Sequence, residues 1–139
     1  MHSNWIDEEF PGVDYRITSE QDNYYNCIAW AAGYNDDWWS HDEDYRWIGE
    51  RGPGIQNLVS LFNALGYAEC NSDLPEAGYV KVALYAKEGN WTHAARQLEN
   101  GRWTSKLGIY EDIEHAAPQD LCGGLYGQVH SVMRRQREG

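Results

Sequence analysis

The clearest pattern in the chain is a helical repeat of apolar residues near its centre. Apolar side chains recur at three- and four-residue spacing from Ile55 to Leu65, which is the period of one helix face. Gly52-Pro53-Gly54 precedes the run, and Gly66 follows it with a residue that accepts the left-handed conformation of a helix end. The pattern predicts an amphipathic helix that packs one face against the rest of the protein.

A shorter helix is predicted earlier, from about Tyr24 to Ala32. Asp22 or Asn23 can cap its start, small residues in it allow close packing, and a glycine follows its end. Cys27 then lies in the first turn, where the backbone dipoles favour a thiolate.

Alternation of apolar and polar residues predicts strands in the second half of the chain. The first runs from Tyr79 to Ala86. Two more, Trp91 to Leu98 and Arg102 to Leu107, flank Glu99-Asn100-Gly101. A last strand is predicted from about Gly127 to Met133.

The Asn-Gly pair between two of these strands is a strong signal for a tight hairpin. With Asn100 and Gly101 as the two turn residues, His93 lies opposite Gly108 and has Lys106 and Tyr110 on its diagonals. A glycine opposite the imidazole leaves it unobstructed, which suits a reactive histidine. A bulge of one residue would change these neighbours.

Together these elements predict one domain of the α+β class over residues 1–139. In it, the helix that bears Cys27 and the second helix pack on a small antiparallel sheet. Residues 1–22 are predicted to be an irregular N-terminal arm, and residues 134–139 a basic tail. A loop is expected over residues 67–78 and a less regular segment over 109–126.

The composition limits the cellular setting. The chain of 139 residues can bury a core without disulfides. Its three cysteines are an odd number, no apolar signal segment precedes the first acidic residues, and no apolar run reaches the roughly 20 residues that cross a bilayer. We therefore expect a cytoplasmic protein without membrane contact. Cys70, His115 and Cys122 with His93 lack a tight ligand pair, so no metal and no cofactor are expected.

The net charge of −11 is concentrated in the N-terminal third. The first fifty residues hold twelve acidic and two basic side chains, and the remainder holds ten and nine. A field of this sign repels nucleic acid, and it suits either a basic protein partner or a solvated surface. Seven Trp and ten Tyr against two Phe suit half-buried layers or the walls of a binding groove. Acids and aromatics are mixed most densely over residues 36–47.

The candidate chemistry rests on one thiol and one imidazole. Cys27 at a helix start and His93 on a later strand are a cysteine nucleophile and its base. Acyl transfer also needs donors for the developing oxyanion, and Gln21 offers an amide six residues before Cys27. Asn23 and Asn26 are alternatives that are equally suited to cap the helix. The opposite interpretation makes Cys27 a buried helix residue and His93 a satisfied polar group of the core.

The order of these residues resembles the papain-like superfamily of cysteine peptidases and amidases. The resemblance covers roughly residues 20–133, and it rests on a Gln six residues before a Cys at a helix start and on a His on a strand that precedes another strand. The chain is more similar to the small bacterial NlpC-like and CHAP enzymes than to papain, and residues 92–115 also resemble uncharacterised bacterial papain-like domains. The resemblance implies Cys27 as nucleophile, His93 as base and Gln21 as oxyanion donor.

Papain-like enzymes usually orient the histidine with Asn, Asp, Gln or a second His. The strand after His93 offers Thr104, Ser105 and Lys106, with Asp112 beyond it, so the third member is open. The absence of a secretion signal favours an intracellular peptide or amide over a cell-wall substrate.

The function expected from the sequence is thus a cysteine hydrolase, a peptidase or an amidase, that forms an acyl-enzyme. An acyltransferase or a deamidase would use the same thioester with a different acceptor or substrate. The alternative class is a non-catalytic acidic binding module of the immunity or inhibitor type, which binds a basic protein partner.

Overall fold

The computed structural model describes residues 4–19, 26–33, 47, 51–70, 72–107 and 111–137, and the architecture below is that of these residues. The helices are α1 (Asn4–Glu9), α2 (Cys27–Ala31) and α3 (Ile55–Ala64), with a 3-10 helix at Pro118–Leu121. The strands are β1 (Tyr15–Ser19), β2 (Ala68–Cys70), β3 (Tyr79–Lys87), β4 (Asn90–Gln97), β5 (Trp103–Lys106), β6 (Asp112–His115) and β7 (Gln128–Gln136).

The described strands form one antiparallel sheet in the order β1-β6-β5-β4-β3-β7-β2. Strands β3 to β6 are neighbours in sequence as well as in space, whereas β7 returns to pair with β3, and β1 pairs with β6 at one edge. Helices with an antiparallel sheet confirm the predicted α+β class. None of the described helices is long and apolar enough to cross a bilayer.

Both faces of the sheet are covered, which buries its central strands on two sides. One face, here called the α2–α3 face, packs on α2 and α3 through residues such as Val82, Leu84 and Ala94. The other, the α1 face, packs on α1 and the 3-10 helix through residues such as Tyr85 and Ala95. Because successive residues of a strand point to opposite faces, each step along β4 changes the core that a side chain enters.

The predicted amphipathic helix is confirmed as α3. It ends in a Schellman motif, in which the Tyr67 N–H bonds to the Phe62 carbonyl at 2.9 Å and the Gly66 N–H bonds to the Asn63 carbonyl at 3.0 Å. Gly66 has a φ of 95°, the left-handed conformation that this motif requires.

The N-terminal segment forms regular structure where the sequence predicts an irregular arm. Ile6 and Phe10 are buried in the core of the α1 face, and β1 pairs with β6. The sequence expectation was wrong because the partner of β1 is distant: Arg16 and its ion-pair partner Glu114 are 98 positions apart in the chain. Local patterns carry no trace of such a pairing.

The predicted basic tail and the predicted loop over residues 67–78 are wrong in part. Strand β7 continues to Gln136, so that Arg134 and Arg135 are strand residues. Arg134 forms an ion pair with Glu76, and the Arg135 guanidinium lies 4.8 Å from the centre of the Tyr67 ring. Strand β2 pairs with β7 inside the expected loop.

The hairpin between β4 and β5 has a three-residue loop instead of the two-residue turn that Asn-Gly predicts. Arg96 pairs with Thr104, and the Leu98 N–H bonds to the Arg102 carbonyl at 2.7 Å. The loop is therefore Glu99-Asn100-Gly101, with Gly101 at a φ of 87°. The extra residue shifts the register by one and exchanges the two faces of β5.

The shifted register corrects the predicted neighbours of His93. Counting on from the observed pairs places Leu107 opposite His93 and Ser105 on its diagonal, instead of Gly108 and Lys106. Gly108 and Tyr110 lie outside the described residues. A hydroxyl thus faces the imidazole where the sequence predicts an ammonium.

The segment before β7 is held against the sheet by a close backbone approach at Gly127. Gly123 and Gly127 exchange backbone hydrogen bonds of 2.7 and 3.2 Å, and both have a positive φ. A Cβ added to Gly127 would lie 2.2 Å from the Ala86 carbonyl oxygen, whereas one added to Gly123 would meet nothing within 4 Å. The Thr92 hydroxyl also donates to the Tyr126 carbonyl at 2.6 Å.

Gly127→Ala should therefore destabilise the fold much more than Gly123→Ala. Both changes carry a left-handed strain of about 1 kcal/mol, but only Gly127→Ala adds a backbone clash, for a total loss of about 3 kcal/mol in the free energy of unfolding. Urea unfolding of the two variants measures the difference. Equal losses would contradict the close approach.

Candidate functional site

Cys27 is the first residue of α2 and lies at its capped end. The Asn26 side chain accepts a hydrogen bond from the Ala29 N–H at 3.1 Å, which makes Asn26 the cap of the helix. The helix starts later than predicted, and Asp22 and Asn23, the caps that the sequence suggests, lie outside the described residues. The oxygen of the Asn26 amide is thus used by the helix.

The Cys27 thiol is buried and neutral at rest. Burial raises its pKa to about 11, against the opposing effects of the backbone N–H groups of Ala94, Ile28 and Cys27 itself and of the Lys106 ammonium. The Ala94 N–H is the strongest of these opposing groups, so the sulfur lies at the backbone of the residue that follows His93. Lys106, predicted beside His93, acts on Cys27 instead, as the shifted register of β5 requires.

His93 is completely buried among aromatic rings of the α1 face. Its imidazole stacks on the Tyr126 ring with centroids 4.1 Å apart and meets the edge of Tyr85 at 5.0 Å. Burial lowers the pKa of His93 well below 6.5, and the neighbouring His115 adds to this effect. Its Nδ1 has no hydrogen-bond partner among the described residues.

The thiol and the imidazole reach β4 from its two sides. Cys27 belongs to the core of the α2–α3 face, whereas His93 packs on Tyr85 and Tyr126 of the α1 face. Within the described residues no hydrogen bond joins the sulfur to the free Nδ1. The two groups therefore lie at adjacent residues of one strand but on opposite faces of the sheet, and transfer of a proton between them requires the sulfur and Nδ1 to be brought to the same side of β4.

A chain of buried hydrogen bonds continues from the other nitrogen of His93. His93 Nε2 lies 3.0 Å from the Ser105 hydroxyl, which lies 2.8 Å from His115 Nε2. His115 Nδ1 lies 3.0 Å from the Ala117 carbonyl oxygen. Ser105 and His115 are both fully buried, so the chain is shielded from water.

The direction of every bond in this chain is fixed by its last member. A carbonyl oxygen only accepts, so His115 Nδ1 carries a proton. Burial lowers the pKa of His115 to about 4, despite the opposing effects of the Ala117 carbonyl and Asp120, and the ring is therefore neutral with a free lone pair on Nε2. Ser105 donates to that lone pair and accepts from His93 Nε2. His93 is then protonated on Nε2 and presents an unprotonated Nδ1.

Local sequence features hold the two histidines in place. A bulge in the β3–β4 pairing, where Ala86 pairs with Trp91 and Tyr85 with His93, makes Thr92 the extra residue beside His93. Pro118 starts the 3-10 helix after His115 and keeps Ala117 extended, at φ −145° and ψ 155°.

Asp120 closes the turn after His115. Its carboxylate accepts from the backbone N–H groups of Ala116 and Ala117, each at 3.0 Å. These bonds hold Ala117, whose carbonyl accepts from His115.

The predicted site residues fare differently. Cys27 and His93 lie next to the same part of β4 but on opposite faces of the sheet, and no hydrogen bond joins them among the described residues. Gln21 lies outside the described residues. Among the described residues, no group of three or more His, Cys, Asp and Glu side chains is arranged to hold a metal ion, so Cys70, His93, His115 and Cys122 do not form such a set.

The surroundings of His93 are only partly anticipated by the sequence. Ser105, one of three residues that the sequence offers to orient His93, bonds to it directly. The contacts of His115, which reaches His93 through the Ser105 hydroxyl, and of Tyr126, which stacks on its ring, were not predicted. The signal that could have found Ser105 is the three-residue hairpin loop, which sets the register. His115 lies in a segment predicted to be less regular, and its strand was not anticipated.

Acid should destabilise the protein through these buried histidines. Below a pH of about 6.5 an unfolded chain binds protons that the folded core rejects, so the free energy of unfolding falls as the pH is lowered. His115 alone should remove about 3 kcal/mol between pH 6.5 and its folded pKa of about 4. Urea unfolding at pH 7, 6 and 5 measures the slope.

His115→Gln should flatten that slope, because it removes one of the responsible groups. His130→Gln, which changes an exposed histidine of β7, should leave it unchanged. A slope in the His115→Gln variant as steep as that of the unchanged protein would refute this account of the acid response.

Comparison with known families gives one match. Residues 16–134 match the model of a family described as a domain of unknown function, DUF7689. No curated protein and no solved structure matches the chain. The matched segment contains α2, α3 and all members of the hydrogen-bonded chain from His93 to Ala117. Because the match spans most of its length, the chain belongs to the DUF7689 family.

Proposed function

We propose that this protein is a cysteine hydrolase, a peptidase or amidase related to the papain-like superfamily, with Cys27 as nucleophile and His93 as general base. The observation that carries the proposal is the unprotonated Nδ1 of a fully buried histidine, which has no hydrogen-bond partner in the part of the chain that the structure describes and whose other nitrogen is fixed by Ser105. A buried acceptor without a donor costs free energy. Such a cost is typical of a group kept ready for a proton.

The resting site is a neutral pair rather than an ion pair. Burial raises the pKa of Cys27 to about 11 and lowers that of His93, so the thiol keeps its proton until a substrate is attacked. Once the sulfur and Nδ1 have been brought to the same side of β4, general-base catalysis moves the proton from Sγ to Nδ1 as the sulfur bonds to the substrate carbonyl carbon. The imidazolium that forms is stabilised because its Nε2 proton is already donated to Ser105.

The proton that Nδ1 received from the thiol is then passed to the leaving amine. Collapse of the tetrahedral intermediate breaks the C–N bond, His93 Nδ1–H protonates the departing nitrogen, and a thioester remains on Cys27. Water then attacks the thioester while Nδ1 accepts one of its protons, and the carboxylic acid leaves as the thiol is restored. A deamidase would apply this cycle to a side-chain amide, and an acyltransferase would replace the water with an amine.

The oxyanion needs donors near Cys27. Backbone N–H groups of Ala94, Ile28 and Cys27 act on the sulfur, so this end of α2 is already rich in donors. Gln21 is proposed as an additional donor from the resemblance to papain-like enzymes.

A second candidate is a non-catalytic binding module that recognises a basic protein. The observation that favours it is the burial of both groups, because Cys27 is only 7% exposed and His93 is fully buried. Of the twelve acids in the first fifty residues, four belong to the described residues: Asp7, Glu8, Glu9 and Asp14. The acid-rich stretch at Asp42, Glu43 and Asp44 lies outside them.

Acylation by p-nitrophenyl acetate separates the two candidates. The hydrolase should release about one equivalent of p-nitrophenolate per chain in a burst and carry an acetyl group on Cys27, located by peptide mass spectrometry. His93→Gln should slow the burst at least about 100-fold, because a positioned general base contributes this much or more.

The controls use residues away from the site. Cys70→Ser, Cys122→Ser and His130→Gln should keep the burst, and circular dichroism should show that His93→Gln is folded. The hydrolase proposal would be contradicted by acetylation of Cys70 or Cys122 instead of Cys27, or by an unchanged burst rate in His93→Gln. Either result would favour the binding module.

A further inference from the structure

A cluster of arginines surrounds a cavity on the α2–α3 face, at the opposite end of α2 from Cys27. Arg96 of β4, Arg135 of β7 and Arg137 line this cavity of about 280 Å³. Arg135 pairs with Val80 of β3 and Arg96 pairs with Val82, so that two guanidiniums reach the cavity from the strands on either side of β3. The cluster contrasts with the net charge of −11 of the whole chain.

The three arginines share their cavity with one tyrosine, over whose ring the Arg135 guanidinium lies. Tyr67 lines the same cavity, and Arg135, Arg96 and Arg137 each lower the pKa of its phenol, although burial raises it on balance. Burial lowers the pKa of Arg96, and Arg137 adds to this effect. Three cations that affect one phenol form a local field that attracts an anion.

The neighbouring helices are shaped around these side chains. A Cβ on Gly33 would lie 3.3 Å from Arg96 Nη1, and a Cβ on Gly66 would lie 3.2 Å from Arg135 Cδ. Both glycines have a positive φ and end their helices. Their missing side chains leave the space in which the Arg96 guanidinium and the aliphatic part of the Arg135 side chain lie.

Within the described residues, the neighbouring carboxylates and carbonyls do not use all the donors of the cluster. Glu99 lies 3.8 Å from Arg137 and its side chain is 86% exposed, so the ion pair is weak. Arg135 Nη1 donates to the Leu65 carbonyl at 2.9 Å, but its Nε is buried without a hydrogen-bond partner among the described residues. A guanidinium has five N–H donors, and an unpaired buried donor is costly.

We propose that this cavity is a binding site for a phosphate group, held by Arg96, Arg135 and Arg137 with the Tyr67 hydroxyl as a fourth donor. Guanidinium groups match the oxygens of phosphate in pairs. A phosphate carries close to two negative charges at neutral pH and several acceptor oxygens, which suits three cations better than a single carboxylate does. The cavity volume suits a phosphate or a small phosphoester.

The site is independent of the proposed hydrolase. Trp30 separates the two regions along α2, and the Arg96 guanidinium lies 5.5 Å from the centre of its ring. Loss of phosphate binding would leave the thiol chemistry unaffected, and the reverse holds as well.

Titration with inorganic phosphate, followed by ¹H–¹⁵N correlation spectra of the full chain, tests the proposal. At constant ionic strength set with sodium chloride, phosphate should shift the amide signals of Gly33 and Gly66 in a saturable manner. Arg135→Gln and Arg137→Gln should each weaken binding at least about tenfold, because each removes charge-assisted hydrogen bonds. Arg137→Gln changes a half-exposed residue after β7, so it reports on binding even where Arg135→Gln disturbs the fold.

Arg134→Gln is the matched control. It removes the same charge from the adjacent residue of β7, but Arg134 lies over the Tyr79 ring and pairs with Glu76, away from the cavity. Binding should survive this change. No saturable shift, equal weakening by Arg134→Gln, or equally tight binding of citrate would overturn the assignment of a phosphate site.

Discussion

The candidate site depends on one hydroxyl group, that of Ser105, which lies between two buried imidazoles. A hydroxyl has a single proton, so it can donate to only one of them. The Ala117 carbonyl decides which, because it requires a proton on His115 Nδ1 and thereby leaves Nε2 of that ring as an acceptor. Ser105 therefore donates its proton to His115 Nε2 and accepts one from His93 Nε2. His93 Nδ1 is left unprotonated, with a lone pair. One backbone carbonyl thus sets the protonation state of a candidate base two side chains away.

The two-sided sheet explains why this arrangement can exist in a small protein. Cores on both faces exclude water from β4, and this burial keeps Cys27 protonated and His93 neutral. The fold also keeps the buried thiol away from the arginine cavity, since the two lie at opposite ends of α2. Gly127 and the Thr92 hydroxyl bring Tyr126 onto the imidazole, so the loop before β7 completes the wall around His93.

Sequence patterns could predict what depends on local periodicity. The span of α3, strand β3 and the positions of Cys27 and His93 on a helix start and a strand all follow from spacing and turn residues. Pairings over long separations could not be predicted, which is why β1 and β6 were missed. The site depended on a finer detail, because one extra residue in the β4–β5 loop exchanged Lys106 for Ser105 beside His93. The pairing of β5 with β6 places His115 next to Ser105, and no sequence motif predicts that contact.

The central claim is that His93 rests as the neutral tautomer with its proton on Nε2, and long-range ¹H–¹⁵N correlation spectra of the imidazole rings at pH 7 test it most directly. Assigned with His93→Gln and His115→Gln, the spectra should show His93 protonated on Nε2 with an unprotonated Nδ1, and His115 protonated on Nδ1. A His93 that carries its proton on Nδ1, or on both nitrogens, would contradict the hydrogen-bond direction and the role of base that rests on it.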